Sequence, residues 1–207
     1  MRRYLPGIML LLLALAATAA AQDKGKPERV KVDDDQTYLV LSTKRIQTME
    51  KELDEAAAKG FRVMFGGPTL AFDMALLLKR TPGAEAAPYG YKILATSRMK
   101  TMEKELNEIA AKGYRLLSRT IIFKQGLLTA ELLMIMEHEP QSDRSYEYKL
   151  LAASKETKLH KKIDEAISQG FVPMTMITLG DHIVVMERES KTDSKPATTS
   201  GGETGGK

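Results

Sequence analysis

No cysteine and no tryptophan occur anywhere in the chain, and Phe and Tyr together make up only 6% of its residues. The missing thiols exclude disulfides, a thiol nucleophile, thiolate metal ligation and lipid attachment to a Cys at an export cleavage site. Excess charge of one sign is also absent. The formal net charge is +4, and Arg2 and Arg3 supply half of it. Beyond residue 21 the balance is 29 basic to 27 acidic side chains, which gives no electrostatic ground for a nucleic-acid partner.

The one long apolar run is short for a membrane span. The chain opens MRRYLPGIMLLLLALAATAAAQDKGK: a basic start, an apolar stretch from Ile8 to Ala17, then Ala19 and Ala21 in an A-x-A pattern. This is the plan of a cleavable secretory signal, with cleavage expected after Ala21 and a periplasmic or secreted destination. The alternative is an uncleaved anchor, but a transmembrane helix needs ~20 apolar residues. No stable membrane anchor is therefore expected after cleavage. Residues 22–36 are polar and include Asp33-Asp34-Asp35, which reads as a disordered leader. Residues 190–207 are rich in Ser, Thr, Gly, Lys and Pro, a composition that buries too little apolar surface to offset its ordering entropy.

What the chain does have is an internal repeat. MEKELDEAAAKGFRVM from Met49 returns as MEKELNEIAAKGYRLL from Met102 and as LHKKIDEAISQGFVPM from Leu159. Tyr38, Tyr91 and Tyr148 each precede a glycine by 22 positions (Gly60, Gly113, Gly170), so no gap is needed inside any copy. The first two copies are offset by 53 residues and the last two by 57, with the four extra residues after Gly113. The repeats span 37–80, 89–139 and 147–189, joined by linkers 81–88 and 140–146.

Each copy starts with a brief apolar strand (YLVLS, YKILA, YKLLA). A helix follows. Ile46, Met49, Leu53, Ala56 and Ala57, and then Met99, Met102, Leu106, Ile109 and Ala110, recur at spacings of three and four and form one buried stripe. Thr43 and Thr48 are both candidate N-caps. The recurring glycine ends the helix in a left-handed conformation, and the aromatic after it (Phe61, Tyr114, Phe171) packs back on the last turn. Two strands then form a hairpin. The expected turns are Gly66-Gly67-Pro68, Lys124-Gln125-Gly126 and Gly180-Asp181, with YRLLSRTIIF as one continuous strand in the second copy. The expected fold is α+β: three tandem β-α-β-β repeats, each a helix on a small three-stranded sheet. A unit of this size is marginal alone, so the three are expected to pack together.

Copy two, with Tyr91, Lys92, Leu106, Asn107, Glu108, Gly113 and Leu116, resembles the small bacterial family called domain of unknown function 4177. Copy one shares Tyr38, Leu53, Glu55, Gly60 and the closing Lys79-Arg80; copy three shares Tyr148, Lys149, Glu165 and Gly170. The family's Trp is replaced by Phe61, Tyr114 and Phe171, and its following Glu by Arg62, Arg115 and Val172. The resemblance implies a fold and no activity.

Candidate chemistry is sparse. Glu55, Glu108 and Glu165 recur at one helix position and are the first candidates for a repeated polar surface. Lys51, Lys104 and Lys161 lie four residues before them, and Lys59 and Lys112 four after two of them, so surface ion pairs are the favoured reading. Tyr38, Tyr91 and Tyr148 are read as capping the sheet edge with their hydroxyls near water, the alternative being a shared ligand-binding rim. His138, His160 and His182 occupy non-equivalent positions without metal or acid–base spacing. The pairs Met99/Met102, Met134/Met136 and Met174/Met176 share faces and suit a core better than a copper site. No nucleophile elbow or phosphate loop occurs. The sequence thus reads as an exported, non-catalytic binding or protein-interaction module with no cofactor, metal or catalytic residue. Its partner is an unknown protein or small molecule. A ligand-binding protein with a pocket between repeats is the alternative, and an enzyme of unknown class the third.

Overall fold

A computed structural model describes residues 32–33, 35–69, 74–125 and 130–190. The fold is α+β, with three helices and three antiparallel sheets. The first sheet contains β1 (Tyr38–Thr43), β2 (Phe61–Pro68) and β3 (Met74–Arg80), with helix α1 (Ile46–Ala57) between β1 and β2 in the chain. The second holds β4 (Gly90–Thr96), β5 (Tyr114–Leu116), β6 (Ile122–Gln125) and β7 (Ala130–His138), with α2 (Met99–Ala110) after β4. The third holds β8 (Ser145–Ala153), β9 (Val172–Leu179) and β10 (Asp181–Ser190), with α3 (Glu156–Ser168) after β8. In each sheet the last strand lies at the centre: the orders are β1-β3-β2, β4-β7-β5 with β6 also on β7, and β8-β10-β9.

The central strands explain the layering. On β7, Leu133 and Ile135 join a core with α1 and the first sheet, while Leu132, Met134 and Met136 join a core with α2 and the third sheet. On β10, Val185 belongs to the α2 core, and Val184 and Met186 to the α3 core. Alternate residues of a strand point to opposite faces, so a strand apolar throughout is one buried on both sides. Helices α1 and α2 each pack against two sheets, whereas α3 packs against the third sheet alone. The first sheet is buried on one face only, by α1 over Leu39, Leu41, Leu76 and Leu78.

Each helix ends as expected. Gly60, Gly113 and Gly170 have φ of 81°, 86° and 84°, and the Phe171 amide reaches back to the Ala166 carbonyl at 3.1 Å. Three expectations need correction. Neither Thr43 nor Thr48 caps a helix: α1 starts at Ile46 behind an extended Arg45 with no side-chain cap, and Thr43 Oγ1 accepts the Arg45 amide instead. Gly66-Gly67-Pro68 is not a turn but the end of β2, paired with Leu76, Ala75 and Met74. A Cβ on Gly66 would lie 2.7 Å from Leu76 Cδ2 and 3.2 Å from Thr120 Cα, so the glycine permits a close approach between β2 and the second sheet. YRLLSRTIIF is interrupted by a 3-10 turn at Ser118–Thr120, where Thr120 Oγ1 donates to the Leu117 carbonyl. Val32 packs on the first core, Arg80 donates to the Asp33 and Gln36 carbonyls, and β8 begins at Ser145. Gly180 turns tightly between β9 and β10 with φ 84°, as expected of that hairpin. The signal segment, most of the leader, Gly126 and the tail beyond Ser190 lie outside the described residues.

Candidate functional site

The polar groups with most structural consequence lie where one sheet meets the next. Tyr91 on β4 is opposite Glu137 on β7, and their side chains meet: the Tyr91 hydroxyl donates to Glu137 Oε2 at 2.9 Å. The same hydroxyl accepts the Val63 amide of β2 at 3.1 Å. Arg62, also on β2, grips Glu137 through Nε and Nη2, the shortest contact being 2.7 Å, and donates from Nη1 to the Tyr89 hydroxyl. Tyr89 also stacks under the guanidinium at 4.3 Å. The bidentate geometry suits an arginine–carboxylate pair.

The set recurs at the second junction. The Tyr148 hydroxyl donates to Glu187 Oε2 at 2.8 Å and accepts the Leu116 amide at 2.8 Å. Arg115 holds Glu187 through Nε and Nη2, again at 2.7 Å, and stacks on Tyr146 at 4.9 Å. Helices α1 and α2 each add a carboxylate to a neighbouring strand: Glu50 Oε1 accepts the Ile93 amide at 3.0 Å, and Glu103 Oε2 accepts the Leu150 amide at 2.7 Å.

Burial, followed by the Glu137 and Glu187 charges, pushes the Tyr91 and Tyr148 phenols far above their ordinary range. For Arg62 burial opposes ionisation, yet the Glu137 hydrogen bond and charge shift it upward overall. Arg115 is raised first by its hydrogen bond to Glu187. A raised tyrosine pKa means that the folded state keeps a proton the unfolded state loses. The stability is therefore fully present below the unfolded value of about 10 and falls as pH rises beyond it. Alkaline denaturation is expected to set in above about pH 10, with a shallower slope in the Tyr91→Phe/Tyr148→Phe variant; urea midpoints measured across the alkaline range check this.

The two tyrosines correct the expectation from sequence. Tyr91 and Tyr148 are each only 2% exposed, with hydroxyls buried in the junction and not near water. Tyr38 is 50% exposed, with Lys79 Nζ 6.0 Å from its ring, so the three do not form one rim. Glu55 and Glu108 pair with Lys51 and Lys104 at 3.9 and 3.5 Å. The order is Lys before Glu, and each pair is exposed. Glu165 lies on α3, exposed, and the three glutamates sit on three separate helices.

The histidines do not converge either. His138 stacks on Tyr114 at 5.2 Å, just as Arg80 and Arg188 lie over Phe61 and Phe171 at 4.6 and 4.5 Å. Its place is that of a ring partner for the aromatic after the glycine. His182 Nδ1 contacts Thr178 Oγ1, and His160 is exposed on α3. Met102, Met134 and Met136 are core residues, while Met176 is exposed. Among the described residues no group of three His, Asp or Glu side chains could hold a metal, and no helix is long and apolar enough to cross a membrane. A cleft of about 470 Å³ opens beside the junctions, lined by Arg62, Arg115, Arg119, Glu137, Tyr146 and Met174 among others.

Asn107 on α2 makes a further bridge: its Oδ1 accepts the Tyr148 amide at 2.8 Å and its Nδ2 donates to the Tyr148 carbonyl at 2.9 Å. Asp54 holds the corresponding place on α1, six residues before the glycine, and cannot donate when ionised. Burial and then Glu50 raise its pKa, against Lys92. Asp54→Asn is expected to stabilise the protein by about 0.5–1.5 kcal/mol by restoring the donor. Because the raised pKa favours the protonated acid in the folded state, the gain is largest at neutral pH and shrinks below about pH 4. Urea unfolding at the two pH values checks both statements.

No protein-family model, no curated protein and no solved structure matches this chain.

Proposed function

We propose that the chain is three tandem β-α-β-β repeats stacked in a row, exported through its N-terminal signal, and that it serves as a non-catalytic module binding another protein. The observation carrying this reading is an asymmetry. Ile93 in the second sheet is 7% exposed beneath the preceding helix, whereas Val40 at the same register position in the first sheet is 65% exposed. A sheet face of that kind, with an edge strand β1 that has no second partner strand among the described residues, suits a partner. The in-register sequence copies, the matching junction networks and the resemblance to domain of unknown function 4177 support the repeat reading; none of them supplies an activity.

The test is affinity capture of the tagged full chain from the exported fraction of its own cells, with N-terminal sequencing of the recovered protein. The expected outcome is a chain starting at Gln22 and a stoichiometric partner that Val40→Lys releases. Recovery of background alone, together with a metabolite hit in thermal-shift screening, would replace this reading with the second one. That second reading, a small-ligand site between repeats, is favoured by the arginine-lined cleft, whose guanidinium groups suit an anionic ligand.

A further inference from the structure

The same register positions define one face on all three sheets. On the first it carries Tyr38, Val40 and Ser42 opposite Lys79, Leu77 and Ala75. On the second it carries Tyr91, Ile93 and Ala95 opposite Glu137, Ile135 and Leu133; on the third, Tyr148, Leu150 and Ala152 opposite Glu187, Val185 and Ile183. Twice the chain shows what covers this face. The cover is a helix that brings Glu50 or Glu103 to the strand-edge amide, followed by a strand that brings Arg62 or Arg115 to the buried glutamate. On the first sheet the apolar positions persist and the charge is reversed, since Lys79 stands where Glu137 and Glu187 stand. An arginine delivered there would meet a like charge; a carboxylate would meet its complement.

We infer that the outer face of the first sheet docks a separate protein that presents a helix followed by a strand, with an acidic residue aimed at Lys79. This rests on the interaction-module reading and adds the partner's chemistry. A second copy of this chain is the wrong partner, because its far end lacks the junction groups. Relative to the terminal glycine of each helix, His160 stands where Glu50 and Glu103 are, and Val172 where Arg62 and Arg115 are. Ile167 occupies the place of the buried Ala57 and Ala110, and is 52% exposed. Pro173 stands where Val63 and Leu116 donate their amides to the tyrosine hydroxyls, and proline has no amide hydrogen. These four replacements prevent head-to-tail stacking, which would otherwise propagate into a fibre.

The test rebuilds that far end in the full chain. One variant carries His160→Glu, Ile167→Ala, Val172→Glu and Pro173→Val; the other differs only in Val172→Arg. Sedimentation velocity reads self-association, and thermal melts confirm that each variant folds. The acidic variant is expected to associate at least about tenfold more strongly than the basic one, and Lys79→Glu is expected to reverse the order. Equal association of the two, no association of either, or association of the unaltered chain would overturn the inference. Association that appears only after removal of residues 22–31 would make the chain's own leader the occupant and would also overturn it. Failure of the capture experiment with success here removes the interaction-module reading and leaves the chemistry of the face standing.

Discussion

Glu137→Ala is expected to lower the unfolding free energy by about 2–4 kcal/mol, one of the two largest losses expected of any single substitution in the chain. The Glu137 side chain is 5% exposed and receives both Arg62 and the Tyr91 hydroxyl. Its removal strands two donors, and they differ in how they recover. Arg62 is 40% exposed at its side chain, so water can solvate part of the guanidinium, and this keeps the loss below that of a fully buried pair. The Tyr91 hydroxyl has no such escape; it retains the Val63 amide but loses its only acceptor. Glu137→Gln keeps the shape and one acceptor oxygen, so a smaller loss is expected. In a double-mutant cycle with Arg62→Ala, the coupling measured by urea unfolding should be clearly positive. A Glu137→Ala variant within about 0.5 kcal/mol of the unaltered protein would show that the junction contributes no stability.

Local features of the fold were legible in the sequence, and contacts between sheets were not. The three helices follow from a period of three and four and from glycines that close them, both encoded within a dozen neighbouring residues. Arg62 and Glu137 are 75 positions apart, and Tyr91 and Glu137 are 46 apart. No local pattern pairs such residues. A signal existed all the same: Glu137, Glu187 and Lys79 each end a run apolar at every position, and only Lys79 has the opposite charge. Arg62 and Arg115 follow the glycine by two, with Val172 breaking the series. Together, Arg62 with Glu137 and Arg115 with Glu187 mark the two junctions between sheets. Gly66-Gly67 misled for the opposite reason. Paired glycines are a turn signal, yet here Gly66 serves a tight approach to Thr120 in the 3-10 turn between β5 and β6, which a single strand's sequence does not reveal. Likewise Tyr38, Tyr91 and Tyr148 have one identity and two environments, because α1 and α2 cover Tyr91 and Tyr148 while no described helix covers Tyr38.

Leu106→Ala is expected to cost about 2–5 kcal/mol, through lost burial and the cavity left behind. Leu106 is fully buried in the α2 core together with Met102, Met134, Met136, Tyr148 and Val185, so the cavity opens against two sheets at once. Neither sheet can close it without moving the other. Hydrogen exchange should therefore speed up in both β7 and β10, and urea unfolding should remain one transition with a lower midpoint. Leu159→Ala supplies the contrast. Leu159 sits on α3, which packs on the third sheet alone, and it belongs to the smaller core with Phe171, Val184 and Met186. Its loss should be milder, with faster exchange confined to β8, β9 and β10. If Leu106→Ala instead left β10 protected and split the unfolding curve in two, the sheets would be separate folding units and α2 a cover for the second alone. Whether α2 is a core shared by the second and third sheets rests on that difference.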